Sequence, residues 1–457
     1  MKTAIKTVAI AGALAVGFVA QAQAFCGFYV AKADADLFNS ASKVVYMRDG
    51  DRSVITMASD YTGSPAEFAM VVPTPSVLTE GQINVTRSAI VDHLDAYTAP
   101  RLVEYYDRNP CNQVVLERMM AMRSDSAAGP IPSGDKSLGV TVEASYTIGE
   151  YDIQILSATE SDGLATWLTQ NGYRMPEGAE DALRPYIRAG MKFFVAKVNL
   201  AEHDKRGGGF LRPLQIAFES KDFMLPIRLG MLNADGPQDL ILWTLTRKGR
   251  VELANYPVVS MPTDLEVPLF VEDEFADVYR AGFDTMIRRI GGSGVVLEYA
   301  WDMAWCDPCA ADPLPNEDLI ELGAYWLLDS MPRPQPNLGR IMPPGPPADV
   351  YVTRLHARYD DASFQEDLML RVTDNRKNFQ GRYIMRHPWT GGETCEQSEP
   401  YYASLADRFE REAQTLANFT RWPIREIRMK MKLNGQDASS LPRSRPWWQR
   451  MWETQGQ

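Results

Sequence analysis

Apolar and β-branched residues cluster along "SKVVYMRDGDRSVITMAS", Ser42 to Ser59, on both sides of Asp49-Gly50-Asp51. Two β-rich runs around a glycine-containing turn predict a hairpin. "FAMVVPTP", Phe68 to Pro75, predicts a buried strand stopped by Pro73 and Pro75. Along "TRSAIVDHLDAYTAPRLVEYYD" the spacing of Ile90, Leu94 and Tyr97 has the helical period, with a break near Pro100. The stretch Arg123 to Gly139 is an exposed loop by composition.

Further on, "GVTVEASY", "YDIQIL", "MKFFVAKVNL" and "DLILWTLTRKGRVELANY" predict strands. "SDGLATWLTQNGY" predicts a compact helix: Asp162 caps it, Leu164, Trp167 and Leu168 face inward, and Asn171-Gly172 ends it. From Leu265 the order is strand ("VPLFV"), helix ("EDEFADVYRAGFDTMIRRI") and strand ("GVVLEYAWDM"), then a cysteine pair in "WCDPC", Trp305 to Cys309. A proline-rich loop, "MPRPQPNLGRIMPPGPP", precedes "YVTRLHARY", "GRYIMRH", a helix from Tyr401 to Phe419, and "REIRMKMKL". Strands and helices mix without strict alternation. The expected class is therefore α+β, with mixed, largely antiparallel sheets and packed helices in two subdomains. The expected regions are 25–264, 265–440 with the C-x-x-C loop, and a Trp/Arg-rich tail at 441–457.

In "REIRMKMKL", Ile427, Met429, Met431 and Leu433 alternate with Arg428, Lys430 and Lys432. That period of two predicts a half-buried strand with a basic outer face. Arg354, His356 and Arg358 alternate in the same way, so the two strands are expected either to form one cationic surface or to be solvated faces without further role.

Composition and charge narrow the classes. Residues 1–24 read as a secretory signal peptide: Lys2 and Lys6, an apolar run from Val8 to Ala20, and Ala22-Gln23-Ala24 as the cleavage pattern. The expected mature chain starts at Phe25, is exported, and is periplasmic or extracellular. The formal net charge of −12 becomes −14 when Lys2 and Lys6 are removed. An acidic chain lacks the basic footprint of a nucleic-acid binder. No later segment has the uninterrupted apolar run of a membrane span. In an oxidising compartment most of the five cysteines should pair. Cys26 is expected to bond Cys111, tying down a chain end that would otherwise fray. That leaves Cys395 to bond either Cys306 or Cys309.

Seven stretches together carry a resemblance: "CGFYVAKADADLFN", "VDHLDAYTAPRLVEYYD", "GLATWLTQNGY", "RPYIRAGMKFFVAKVNL", "FMLPIRLGM", "EYAWDMAWCDPCAADPL" and "FQGRYIMRHPWTG". They resemble the uncharacterised bacterial family catalogued as domain of unknown function 2330. The resemblance implies an exported bacterial protein and assigns no catalytic residue.

"WCDPC" differs by one residue from the Trp-Cys-Gly-Pro-Cys site of thioredoxins. Such a site needs its first cysteine at a helix N-terminus, where the dipole stabilises a thiolate. Pro313, Pro315 and the fresh helix start at Asn316 favour a loop instead. Asp307 would also oppose a thiolate beside it. A zinc site from Cys306, Cys309, Cys395 and His387 has one correctly spaced pair and no second; no metal and no cofactor are expected. No G-x-S-x-G, P-loop or G-x-G-x-x-G occurs. In the tail, Trp447, Trp448 and Trp452 among Arg443, Arg445 and Arg450 suit a membrane surface, a protein groove, or packing back on the domain. The expected function is non-enzymatic binding or a structural role at the cell envelope. The alternative is an extracytoplasmic thiol-disulfide oxidoreductase using Cys306 and Cys309.

Overall fold

The structure is a computed structural model that describes residues 28–32, 41–58, 68–111, 142–157, 167–168, 173–174, 178–205, 211–233, 236–305, 307, 312–330, 348–391, 395 and 397–437. A nine-stranded sheet forms its centre. Its strands are β2 (Ala41–Asp49), β3 (Arg52–Ala58), β5 (Ile83–Val85), β11 (Leu214–Glu219), β13 (Gln238–Thr246), β15 (Val258–Ser260), β17 (Val295–Asp302), β18 (Tyr351–Tyr359) and β20 (Phe379–Gln380). They run in the order β15-β17-β18-β13-β2-β3-β11-β5, with β20 beside β17. Strands from both sides of residue 264 enter this sheet, so the boundary expected there does not separate two sheets.

A six-stranded antiparallel sheet packs on it. It contains β1 (Phe28–Lys32), β4 (Phe68–Thr74), β7 (Val142–Ile148), β8 (Tyr151–Ser157), β9 (Tyr173–Arg174) and β10 (Lys192–Val198), ordered β7-β8-β10-β4-β1-β9. Two ribbons of three strands complete the β-structure: β12 (Met224–Leu225), β19 (Leu368–Val372) and β14 (Val251–Leu253); and β16 (Leu265–Val267), β21 (Arg382–His387) and β6 (Arg101–Tyr106). The seven described α-helices are α1 (Ser88–Thr98), α2 (Ala179–Arg188), α3 (Leu200–Lys205), α4 (Val271–Arg289), α5 (Asn316–Glu321), α6 (Ser398–Thr420) and α7 (Ile424–Leu433). Among the described residues no helix is long and apolar enough to cross a membrane.

The layering follows from strands that are apolar on both faces. Alternate residues of a strand point to opposite sides. Val44 and Tyr46 of β2 therefore meet Met70, Val72, Ile153, Ile155 and Phe194 of the six-stranded sheet. Val45 and Met47 face the other way, against Ile90, Val91, Leu94 and Tyr97 of α1 and against Leu319 and Trp326. The far face of the six-stranded sheet is covered by Leu183 and Tyr186 of α2. The order is helix, sheet, sheet, helix. A separate core joins α4, α6 and α7 to the β16-β21-β6 ribbon.

The expected hairpin forms with a two-residue turn in which Gly50 adopts φ 59°. The helix predicted over 86–107 ends at Thr98. Beyond Pro100, "RLVEYY" is strand β6, because its aromatic and branched residues pair in parallel with β21. The strand expected at "REIRMKMKL" is corrected: Ile424–Leu433 is a helix. Met, Lys, Arg, Leu and Glu are strong helix formers. Ile427 and Met431, four apart, are the buried pair, whereas Met429 and Leu433 are 58% and 79% exposed.

Beside α7, Glu412 of α6 is only 1% exposed. Gln436 Nε2 donates to its Oε2 at 2.7 Å, and Gln436 Oε1 accepts from the Leu269 N–H. Arg408 Nε stands 3.4 Å from Glu412 Oε1, yet neither atom completes a hydrogen bond. Burial pushes the Glu412 carboxyl up to about 7, and Gln436 and Arg408 offset this only in part. A raised folded-state pKa means stability is fully present below the unfolded value of 4.5 and is lost as pH rises through about 7. Glu412→Gln is therefore expected to stabilise the protein at pH 8 by on the order of 2–3 kcal/mol. The gain should shrink toward zero near pH 5 in urea denaturation; a gain independent of pH would contradict this.

Candidate functional site

Two groups of charged residues stand out: one inside the nine-stranded sheet, one at its end. Inside, Glu298 interrupts the apolar run of β17 and is 0% exposed. It sits where the β17–β18 register shifts between Leu297 and Tyr299, and a bulge of this kind re-aims a side chain. Arg354 Nε donates to its Oε2 at 2.7 Å, His356 Nδ1 lies 3.0 Å from its Oε1, and the Tyr279 hydroxyl of α4 also donates to it. Arg354 continues to Asp95 of α1 and lies over the Trp243 ring. His356 Nε2 is 3.7 Å from Asp239, which pairs with Arg358, and Arg358 pairs with Asp284. The Phe283 ring stacks on His356 at 3.7 Å.

Burial alone would raise the Glu298 carboxyl, but His356 and Arg354 hold it well below the ordinary carboxylate range. Burial alone would lower His356, but the Glu298 charge and the Asp239 contact raise it. The group is therefore held together by its own contacts: Glu298 by Arg354 and His356, and Asp239 by Arg358. This corrects the cationic surface expected from Arg354, His356, Arg358, Arg428, Lys430 and Lys432. Arg354 and His356 are buried among carboxylates, and Arg358 bridges two of them. The other three stand on helix α7, where Arg428, Lys430 and Lys432 pair with Glu410, Glu274 and Asp437. The missed signal was Glu298 itself, since a lone carboxylate in an apolar strand demands a buried cation.

At the sheet's end, strands β2, β13 and β17 run parallel and finish together. Arg48 is in register with Thr246, Thr246 with Tyr351, and Tyr351 with Asp302. The turns after these strands thus share one edge. Arg376 ties two of these turns together. It donates to Asp302 Oδ2 at 2.7 Å and to the carbonyls of Arg247 and Lys248 at 2.5 and 3.1 Å.

The "WCDPC" loop leaves this edge from Asp302. Trp305 is 61% exposed, and its carbonyl accepts from the Trp301 indole at 3.0 Å. Asp307, between the cysteines, is buried: Tyr299 and Gln380 donate to its Oδ2 at 3.1 and 2.8 Å. Its side chain anchors the loop to the sheet. Cys306 and Cys309 lie outside the described residues. The next described helix is α5, which starts after Pro315.

The same sheet end carries a cleft of about 270 Å³, lined by Arg48, Asp49, Arg247, Lys248, Arg371 and the apolar Phe223, Leu370 and Val372, among others. The β12-β19-β14 ribbon forms its outer wall. Glu252 and Arg371 are paired across β14 and β19, and the Leu370 N–H donates to the Phe223 carbonyl at 2.7 Å. These lining residues come from four distant stretches, which is why the sequence alone did not assemble them.

The disulfide assignments are corrected too. Cys111 is bonded to Cys395, with the Cα atoms 5.7 Å apart. Cys111 is therefore not the partner of Cys26, which lies outside the described residues, and Cys395 is not the partner of Cys306 or Cys309. The cause is the β6–β21 pairing, which brings the ends of both strands together. Asp107 adds to it by binding Arg408 at 2.6 Å and Tyr401 at 2.7 Å. His387 Nε2 meets Glu104 at 2.9 Å under the Tyr106 ring. With Cys395 oxidised, the zinc set considered with His387 loses a ligand.

Residues 20–371 match the profile of a family described as an uncharacterized protein conserved in bacteria (DUF2330). The chain belongs to this family; six of the seven quoted stretches lie within the matched span, and "FQGRYIMRHPWTG", Phe379 to Gly391, lies beyond it. No curated protein and no solved structure matches it.

Proposed function

We propose that the protein is exported to the bacterial envelope and acts there by binding. The Cys111–Cys395 bond carries this reading, because a structural disulfide persists in oxidising compartments and is rare in a reducing cytosol. The leader-like residues 1–24 support it independently. The binding role draws on the open cationic cleft at the sheet end, since Glu298, Arg354 and His356 are engaged with one another and sealed from solvent. The oxidoreductase alternative draws on the exposed Trp305 beside the cysteine pair. Against it, the Asp307 carboxylate next to Cys306 opposes thiolate formation.

The test is fractionation of cells producing the full chain. Material in the envelope fraction should begin at Phe25, and peptide mapping without reductant should join Cys111 to Cys395. Intact Met1 in the cytosol with both thiols free would overturn export. The purified chain should not turn over an added protein disulfide. Turnover that disappears in Cys306→Ser would replace binding with the redox reading.

A further inference from the structure

We propose that the cleft at the carboxyl end of the nine-stranded sheet binds a phosphate group, using Arg247, Lys248 and Arg371. This deepens the binding reading by naming a ligand class. Four cationic side chains line the cleft against one carboxylate, Asp49, in a chain whose formal net charge is −12. Such a local reversal of sign is the condition for drawing in an anion from solution.

The four cations are not equivalent. Arg48 is spent on structure: its guanidinium donates to Ser53 Oγ at 2.9 Å and to the carbonyls of Ser220 and Lys221 at 2.7 and 3.3 Å, and it lies over Phe223. It forms a fixed floor whose charge is shared with Asp51, 3.6 Å from its Nη2. The other three are at the rim. Among the described residues Lys248 has no ion pair. Arg247 meets Asp349 at 3.4 Å, and Asp349 is shared with Arg376 at 3.9 Å. Arg371 meets Glu252 at 3.0 Å, and Glu252 is shared with Arg250, also at 3.0 Å. Glu252 is thus divided evenly between two guanidiniums, whereas Arg376 has Asp302 as its nearer partner at 2.7 Å and leaves Asp349 to Arg247; the unmatched charge lies on Lys248 and Arg371. Asp49 is occupied by the Tyr325 hydroxyl, which donates to its Oδ2 at 2.7 Å.

The chemistry selects phosphate over a single carboxylate. Guanidinium forks match two phosphate oxygens at once, and a lysine adds a point charge for the third. A dianion also neutralises more of the excess charge than a monoanion. The cleft, at about 270 Å³, is just smaller than the usual small-ligand pocket, which suits a compact anion, and the apolar wall of Phe223 and Leu370 leaves a place for a short carbon body. The Lys248 backbone is held by Arg376, which also holds Asp302 at the root of the "WCDPC" loop. The rim is thus braced on one side without consuming its charges.

The same phosphate could come from a free small molecule or a lipid headgroup, so the experiment has two arms on the full mature chain. Calorimetric titration uses inorganic phosphate at constant ionic strength. Flotation uses phosphatidylglycerol vesicles with and without added phosphate. Binding of phosphate by the wild type is expected, weakened ~10-fold or more in Lys248→Ala/Arg371→Ala. Both residues are exposed, so the double variant should keep its melting temperature; Lys248→Ala alone serves if it does not. Equal affinity in wild type and variants, or no phosphate binding, would overturn the inference. Vesicle binding competed by phosphate and lost in the variant would assign the site to lipid; binding to phosphate alone assigns it to a soluble ligand. None of these outcomes alters the envelope fractionation or the Cys111–Cys395 mapping, so the site can fail without the reading it rests on.

Discussion

Replacing Arg354 with methionine is expected to destabilise the protein by about 3–5 kcal/mol, the usual cost of removing one partner from a buried ion pair. The Arg354 side chain is 7% exposed and lies between Glu298 and Asp95. Without it, Glu298 keeps only His356 and Tyr279 at a position with no access to water. The carboxylate would then take up a proton. In the wild type the Glu298 pKa is depressed, so its contribution is present above the unfolded value and is lost as pH falls through the folded one. In the variant the pKa moves upward instead, so the deficit should narrow as pH falls from 8 toward 5. Removing both charges, as in Glu298→Gln/Arg354→Met, should cost less than the sum of the two single changes, because neither group is left buried alone. Urea denaturation of the four proteins completes the cycle. Additive single effects would show that the pair is not coupled.

Breaking the Cys111–Cys395 bond should cost about 2–5 kcal/mol. The two cysteines are 284 residues apart, so the bond closes most of the chain into one loop. The native state is held at the same place without it, by the β6–β21 pairing and by Asp107 with Arg408 and Tyr401. Removing the bond should therefore leave the folded structure in place and enlarge the unfolded one. Cys111→Ser is expected to lower the urea midpoint and to raise the denaturant slope, since a longer free chain exposes more surface. An unchanged midpoint on reduction of the wild type would show that the bond contributes nothing.

Elements governed by local periodicity were legible in the sequence. The Asp49-Gly50-Asp51 hairpin, the helix around Ile90 and Leu94, the long helix before Ile290 and the helix over Tyr401–Phe419 all carry their own signals. "REIRMKMKL" misled because alternation and helical spacing overlap over nine residues. Ile427 and Met431 satisfy both, and only packing against α6 decides. Long-range pairing was invisible for a different reason. Nothing near Val45 specifies Trp243 as its parallel neighbour, and nothing near Cys111 specifies Cys395. The charged sites were hidden in the same way: Arg354, His356 and Arg358 do share one face of their strand, but whether that face meets water or Glu298 depends on a strand whose carboxylate lies 56 residues before Arg354.

The connectivity of the disulfide also sets an order of events during synthesis. Cys111 emerges 284 residues before its partner. At about 5–20 residues per second, that is a wait of roughly 15–60 s. Cys26 is already available then, and Cys306 and Cys309 appear before Cys395 does. For that interval every thiol able to trap Cys111 is a wrong one. Wherever the emerging chain meets an oxidant, correct pairing must be postponed or reached by exchange, and a chain truncated before Cys395 can never complete it.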